Sequence, residues 1–165
     1  MRWTIILLAL AGTIAGSLAL REHYRTDASP CSINEKWDCG LVNKSPFAVI
    51  GGIFDLLTNK DSMQPSSPQR MQWLRDIPVA DVGIAGYLLL GVLAFIKRWR
   101  LLAAMAVPAM LFSLYLAHVE KDVLGVWCIY CVISLGIISM ITLLSVITLV
   151  MDLKKDQQSF IESKA

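Results

Sequence analysis

Charge is scarce in this sequence, and the scarcity excludes several classes of function. Only 17% of its 165 residues are Asp, Glu, Lys or Arg, and the formal net charge is +2. So small a net charge gives no reason to expect a polyanionic partner, and no run of charges is long enough to bind nucleic acid. The sequence also lacks internal repeats and a glycine-rich phosphate loop. It therefore predicts neither a nucleic-acid-binding nor a nucleotide-binding protein.

Apolar residues, by contrast, are abundant and clustered. They make up 56% of the chain, and the mean hydropathy is +0.59. A segment that crosses a hydrocarbon core needs roughly 17–20 apolar residues, and it must be helical because lipid satisfies no open backbone. We therefore predict an all-α membrane protein, a single domain over residues 1–165. The predicted parts are four transmembrane helices in a bundle at about residues 3–20, 77–96, 101–119 and 126–151, a long outer loop at 21–76 and a cytoplasmic tail at 152–165.

The first apolar stretch has an alternative explanation. Arg2, an apolar run and then small residues such as Gly16 and Ala19 also describe a cleavable signal peptide, whose removal would leave three spans. The length of the run, and Arg21 directly after it, favour a retained helix.

Lys and Arg near the span ends predict the orientation. The turn at 97–100 (KRWR) has three positive charges, Arg2 precedes the first span, and Lys154 and Lys155 follow the fourth. With four spans these places lie on one face, which the positive-inside rule makes cytoplasmic. The loop at 21–76 has seven Lys or Arg, but seven Asp or Glu balance them. We therefore expect this loop to face outward.

Two stretches of the outer loop differ in character. Residues 45–57 (SPFAVIGGIFDLL) are apolar but too short to span a membrane. They are either a piece of loop resting on the bundle or a surface helix that covers a pocket. Residues 58–70 (TNKDSMQPSSPQR) are rich in Ser, Pro and Gln, which is typical of a flexible insertion.

The four cysteines, Cys31, Cys39, Cys128 and Cys131, all fall on the outer side in this topology, where disulfides can persist. Cys128 and Cys131 form a C-x-x-C pair at a helix start, where the sulfurs lie within disulfide reach and a thiolate is stabilised. Alternatively, the two cysteines provide half of the ligands of a zinc site, or they are packed in an apolar helix without a chemical role. Val132 stands where a c-type haem site needs His. The pattern favours thiol redox chemistry.

Cys31 and Cys39 enclose a polar segment, CSINEKWDC. This pair is either a structural disulfide that staples the loop or a mobile outer pair. A mobile pair could take electrons from a soluble thiol protein and pass them to the C-x-x-C pair through mixed disulfides. The presence of both pairs in one chain favours this relay.

The cysteine pattern resembles that of the vitamin K epoxide reductase family. Cys31 and Cys39, Ser45 six residues later, and a C-x-x-C that opens the last span carry the resemblance, which extends over most of the chain. The segment LYLAHVEKDVLGVWCIYCV is similar to bacterial members. The resemblance implies that Cys131 faces a quinone and that Cys128 is attacked by the loop pair. Cys39 would form the mixed disulfide with Cys128, and Cys31 would meet the outside partner.

The resemblance also places Ser45 near the quinone, and their positions in the sequence make Trp127, His118 and Glu120 further candidates. Ser45 would donate a hydrogen bond to a quinone oxygen, although a turn or helix cap before Pro46 explains it equally well. Trp127 would line the pocket, or else anchor the helix at the membrane interface. His118 and Glu120, at the outer end of the third span, would either relay protons or form a solvated helix end.

The implied function is a membrane thiol oxidoreductase that supports disulfide bond formation by reducing a quinone of the ubiquinone, menaquinone or vitamin K type. Its partners would be a lipid membrane and a separate thioredoxin-like protein, because no such domain is fused; we expect no bound metal. The expected location is a bacterial inner membrane with periplasmic cysteines, with the endoplasmic reticulum as the alternative. A eukaryotic vitamin K epoxide reductase is the second reading, disfavoured because Ser134-Leu135-Gly136 stands where many members have Thr-Tyr-Ala. A metal-binding or structural membrane protein is the third.

Overall fold

The computed structural model describes residues 1–27, 29–57 and 76–162. These ranges are helical, with isolated bridges as their only extended pairings. Four helices are long: α1 (Arg2–Tyr24), α4 (Val79–Phe95), α5 (Trp99–Val119) and α6 (Ile129–Glu162). Between α1 and α4 come α2 (Cys39–Lys44), a 3-10 turn (Pro46–Ala48) and α3 (Ile50–Leu57), and a π-helical turn (Glu120–Leu124) extends α5.

The prediction of an all-α membrane protein is confirmed in a coarser form. Among the described residues, three helical segments are long and apolar enough to cross a membrane: Arg2–Tyr24, Trp99–Leu124 and Ile129–Lys154. Helix α4 is apolar but has only 17 residues, which makes it about 25 Å long at the usual helical rise. A crossing by α4, and with it the four-span topology, stays a prediction.

The last helix and the outer loop differ in part from the expected boundaries. Helix α6 continues without a break to Glu162, so most of the predicted tail at 152–165 prolongs the last helix. The predicted apolar segment at 45–57 contains the 3-10 turn and α3. The predicted insertion at 58–70 lies outside the described residues.

Small residues allow α1 and α4 to pack closely. Gly12 faces the Tyr87 ring so directly that a Cβ at this position would overlap it, and a Cβ on Gly91 would lie 3.5 Å from the Cβ of Ala9. The Tyr87 hydroxyl donates a hydrogen bond to the Ser134 carbonyl on α6 at 2.8 Å. Tyr87 thus joins α4 to both α1 and α6, as small residues and interhelical hydrogen bonds commonly do in membrane bundles.

The outer surface of the bundle exposes many large apolar side chains. Large side chains on each long helix are more than half exposed, among them Leu7, Val92, Leu111 and Leu143. So extensive an exposed apolar surface is unfavourable for a single chain in water. The exposed side chains are therefore suited to contact lipid.

Candidate redox site

The loop pair, Cys31 and Cys39, forms a disulfide whose Cα atoms are 5.7 Å apart. Both cysteines are buried, and Cys39 is the first residue of α2. The side chain of Asp38 caps this helix by accepting a hydrogen bond from the Leu41 N–H at 3.0 Å, and it accepts another from the Ser32 hydroxyl at 2.7 Å. These two hydrogen bonds lower the pKa of Asp38 below its ordinary value. A charged cap therefore fixes the position of Cys39.

Backbone hydrogen bonds attach the loop pair to the start of α6. The Trp127 N–H donates to the Lys36 carbonyl at 2.8 Å, and the Asp38 N–H donates to the Trp127 carbonyl at 3.1 Å. The Trp127 ring lies beside that of Trp37, with the ring centroids 6.4 Å apart. Trp127 therefore connects the loop to the start of α6. It is not among the described residues that line the cavity between the helices, which is described below.

The C-x-x-C pair is a pair of free thiols at the beginning of α6. Cys128 is completely buried just before the helix, and Cys131 lies in the first turn. The Cys128 N–H donates to the Glu120 carboxylate at 3.1 Å. The neighbouring Cys131 thiol holds the pKa of the Cys128 thiol below its ordinary value, assisted by the amide of Asn43 and opposed by burial and by the charge of Glu120. Cys128 is therefore the more easily ionised sulfur that a thiol exchange requires.

The two pairs meet in one buried cluster, although most of the chain separates them in sequence. This cysteine cluster consists of Cys31, Cys39, Val42, Val126 and Cys128, with Cys131 packed against it. Within the described residues, the cluster brings one disulfide and two thiols together. The arrangement is suited to disulfide exchange.

Asn43 is a member of the site that the sequence reasoning missed. Its Nδ2 donates to the Cys39 carbonyl at 2.9 Å and to the Cys128 sulfur at 3.4 Å. The spacing of four residues from Cys39 places both residues on one face of α2. That spacing was available in the sequence, but nothing in it indicates that this face meets Cys128.

Of the two candidate proton carriers, Glu120 is buried and His118 is exposed. The His118 ring pairs with Asp122 at 2.6 Å on the surface. Glu120 instead turns inward, where it accepts the Cys128 N–H and borders a cavity. Residues two apart on a helix do not share a face, so the two candidates lie in different surroundings.

A cavity of about 400 Å³ lies between the helices and beneath the 3-10 turn. Its walls are mostly apolar side chains of α1, α4, α5 and α6, and Cys131 and Ser45 border it. The volume is within the ~300–1,000 Å³ typical of small-molecule sites. The Ser45 hydroxyl donates to the Val42 carbonyl at 2.8 Å, so Ser45 also caps the end of α2.

Comparison with known proteins gives a family match over most of the chain. The family model described as "Vitamin K epoxide reductase family" matches residues 3–148. No curated protein matches the chain.

Proposed function

The chain belongs to the vitamin K epoxide reductase family, and on this premise we propose that it carries electrons from a separate thioredoxin-like protein to a quinone. The electrons pass from the partner's dithiol to Cys31 and Cys39, then to Cys128 and Cys131, and finally to the quinone. The oxidised partner then introduces disulfides into other proteins.

The placement of the C-x-x-C pair carries this proposal. Cys128 belongs to the buried cluster that contains the loop disulfide, whereas Cys131 borders the apolar cavity. One sulfur of the pair thus faces the electron donor and the other faces the space for the acceptor. A structural disulfide or an inert pair of cysteines would not need its two sulfurs to face different surroundings.

The exchange steps balance without an added reagent. The partner's thiolate attacks the Cys31 sulfur, and its second thiol resolves the mixed disulfide, so the partner is oxidised and the loop pair becomes a dithiol. The Cys39 thiolate then attacks Cys128 of the oxidised C-x-x-C pair, which releases Cys131 as a thiolate. Attack of Cys31 on Cys39 re-forms the loop disulfide and releases Cys128 as a thiolate. Two electrons have then moved from the partner to the C-x-x-C pair.

The residues around the cavity fit a quinone headgroup. A quinone supplies a two-electron, two-proton acceptor that two thiols can reduce as they become a disulfide. The apolar walls suit its ring and exclude water, and Ser45 and Glu120 offer polar contacts at the border. Cys131 holds its thiol at the same border. Ubiquinone, menaquinone and vitamin K quinones share the headgroup chemistry that these contacts require.

The proposed topology places four crossings in a bacterial inner membrane, with the cysteines on the periplasmic side. The charged turn at 97–100 supports it, because it joins α4 to α5 on the side opposite to the cysteines. A membrane-impermeant thiol reagent should label reduced Cys31 and Cys39 from outside intact cells. Labelling that occurs only after the membrane is opened would reverse the orientation.

The decisive experiment uses purified protein, a reduced thioredoxin-like protein and a soluble quinone, with the quinone followed by its absorbance. We expect continuous quinone reduction that depends on both substrates. The matched control is Cys131→Ser, which keeps the fold but removes the sulfur at the cavity. An absence of quinone reduction with every thiol donor would overturn the proposal.

A further inference from the structure

The amide of Asn43 connects the two redox pairs. Its side chain is buried, and its two N–H groups go to different halves of the relay, one to the Cys39 carbonyl and the other to the Cys128 sulfur. An Asn amide has only two such donors, so both are used here. The backbone carbonyl of Asn43 in turn accepts a hydrogen bond from the His23 ring at the end of α1. Asn43 is therefore fixed by its backbone while its side chain contacts a sulfur.

The structure describes the relay at one particular stage. The loop pair is oxidised and the C-x-x-C pair is reduced. In the proposed sequence of steps this is the stage after Cys31 has displaced Cys128 from Cys39. The Cys128 sulfur has then just received an electron pair, and the Asn43 amide, on the donor side of the relay, donates a hydrogen bond to it.

We infer that Asn43 is a positioning residue that holds the Cys128 sulfur against Cys39 and stabilises it as the leaving thiolate. This inference rests on the proposed relay. In the step concerned, the Cys31 thiolate attacks Cys39, the Cys31–Cys39 bond forms, the Cys39–Cys128 bond breaks, and the electron pair goes to Cys128. A better-stabilised leaving thiolate departs faster, so the Asn43 amide makes transfer towards the C-x-x-C pair the favoured direction.

The position of Asn43 also assigns different roles to the two sulfurs of the C-x-x-C pair. Asn43 bonds to Cys128 and to the backbone of Cys39, which keeps these two residues in register across the cluster. Cys131 lies one helical turn further on, at the cavity. The contacts of the Asn43 amide therefore support Cys128 as the sulfur that exchanges with the loop pair.

The titratable and charged groups around Cys128 determine how a test must be designed. Glu120 approaches it from the π-helical turn and Cys131 from α6, while Asn43 approaches from α2. Replacing Cys31, Cys39 and Cys131 by Ser leaves Cys128 as the only sulfur that titrates as a thiol, because the chain has four cysteines. Serine at 131 still offers a hydroxyl donor. The ultraviolet absorbance of the thiolate, with a cysteine-free chain as the blank, then reports the Cys128 titration alone.

The test compares Asn43→Ala with Asn34→Ala in this single-cysteine chain. Asn34 is an exposed asparagine of the same outer loop, and its side chain bonds only to nearby backbone. We expect Asn43→Ala to raise the Cys128 titration midpoint, by about half a pH unit, since a hydrogen bond to the charged form is lost, and Asn34→Ala to leave it unchanged. Asn43→Leu, which preserves the volume without the donor, should give the same shift if the alanine variant does not fold.

Equal midpoints in the parent and in the Asn43 variants would overturn the inference. The titration needs neither quinone nor partner, so its result is independent of whether the chain reduces a quinone. In the chain with all four cysteines, we further expect Asn43→Ala to slow transfer from a reduced loop pair to the C-x-x-C pair about twofold. An unchanged transfer rate would also count against the inference.

Discussion

The two cysteine pairs lie side by side, with only Cys131 less than fully buried, yet the chain supports them in opposite ways. Cys31 and Cys39 lie in a segment of turns and the six-residue helix α2, held by a few hydrogen bonds such as that from Ser32 to Asp38. Cys128 and Cys131 stand at the start of the 34-residue helix α6. Short helices are marginal without tertiary contacts, whereas a long packed helix is rigid. We therefore expect the segment that holds the first pair, here called the mobile pair, to open more easily than the start of α6, which holds the fixed pair.

This difference matches the separate tasks proposed for the pairs. A pair that exchanges with an external protein must come out to meet it, and local segments with few contacts open most easily. A pair that reduces a small molecule must instead keep one sulfur fixed at a cavity. The mobile pair is therefore expected on the outer loop and the fixed pair on a long helix of the bundle, which is where the two pairs lie.

The largest effect is expected when the fixed pair loses its cavity sulfur. Replacing Cys131 by Ser should lower quinone reduction at least ~10³-fold, because no second thiol can complete the disulfide. In this variant the Cys128 thiolate can still attack Cys39 of the loop disulfide, which releases Cys31 as a thiolate, and no Cys131 thiol remains to displace Cys39 from Cys128. A Cys39–Cys128 mixed disulfide should therefore accumulate, and a non-reducing gel with peptide mapping measures it. Cys128→Ser is the matched control, because it should give the same loss of activity without that species.

A smaller and selective effect is expected when the mobile pair loses Cys31. Cys31→Ser should block turnover with a protein donor but spare reduction by a small dithiol that can reach the C-x-x-C pair directly. The measurement is the ratio of quinone reduction rates with the two donors. Identical behaviour of Cys31→Ser and Cys131→Ser with both donors would mean that the assigned order of the pairs is wrong.

The comparison also explains which features were predictable from the sequence. Apolar runs are local and must be helical in lipid, so the long helices α1, α5 and α6 follow from composition. The C-x-x-C spacing is local as well. The meeting of Asn43 with Cys128 is not local, because 85 residues separate them and only the packing of α2 onto the start of α6 brings them together. The inward position of Glu120 is likewise set by packing, because its partner, the Cys128 N–H, belongs to the start of another helix.

A substitution at Ser45 should have a moderate effect, and this effect distinguishes a role in quinone binding from a role in capping α2. Its hydroxyl borders the cavity but also caps α2 through the Val42 carbonyl. If it donates to the quinone, Ser45→Ala removes about 1 kcal/mol of binding and raises the KM for quinone roughly fivefold, with kcat little changed. Ser45→Thr, which keeps the hydroxyl, should restore the KM. A lower thermal stability with an unchanged KM would leave Ser45 with the capping role alone.

The smallest expected effect concerns the charge beside the fixed pair. Glu120 accepts the Cys128 N–H, and its negative charge opposes ionisation of the Cys128 thiol. Glu120→Gln keeps an acceptor oxygen at the same place and removes only the charge, so we expect the Cys128 pKa to fall further, by about half a unit. The control is Glu35→Gln, the same substitution at an exposed loop position.

The pH profile of exchange gives the sign of this effect. A thiolate leaves and attacks, so the exchange rate declines as the pH falls through the Cys128 pKa, which already lies below that of an ordinary thiol. In Glu120→Gln this decline should move to a lower pH, whereas in Asn43→Ala it should move to a higher one. General damage to the site would move both profiles the same way. Opposite shifts therefore require that the charge of Glu120 and the amide of Asn43 act on the same sulfur in opposite senses, and parallel shifts would contradict that account.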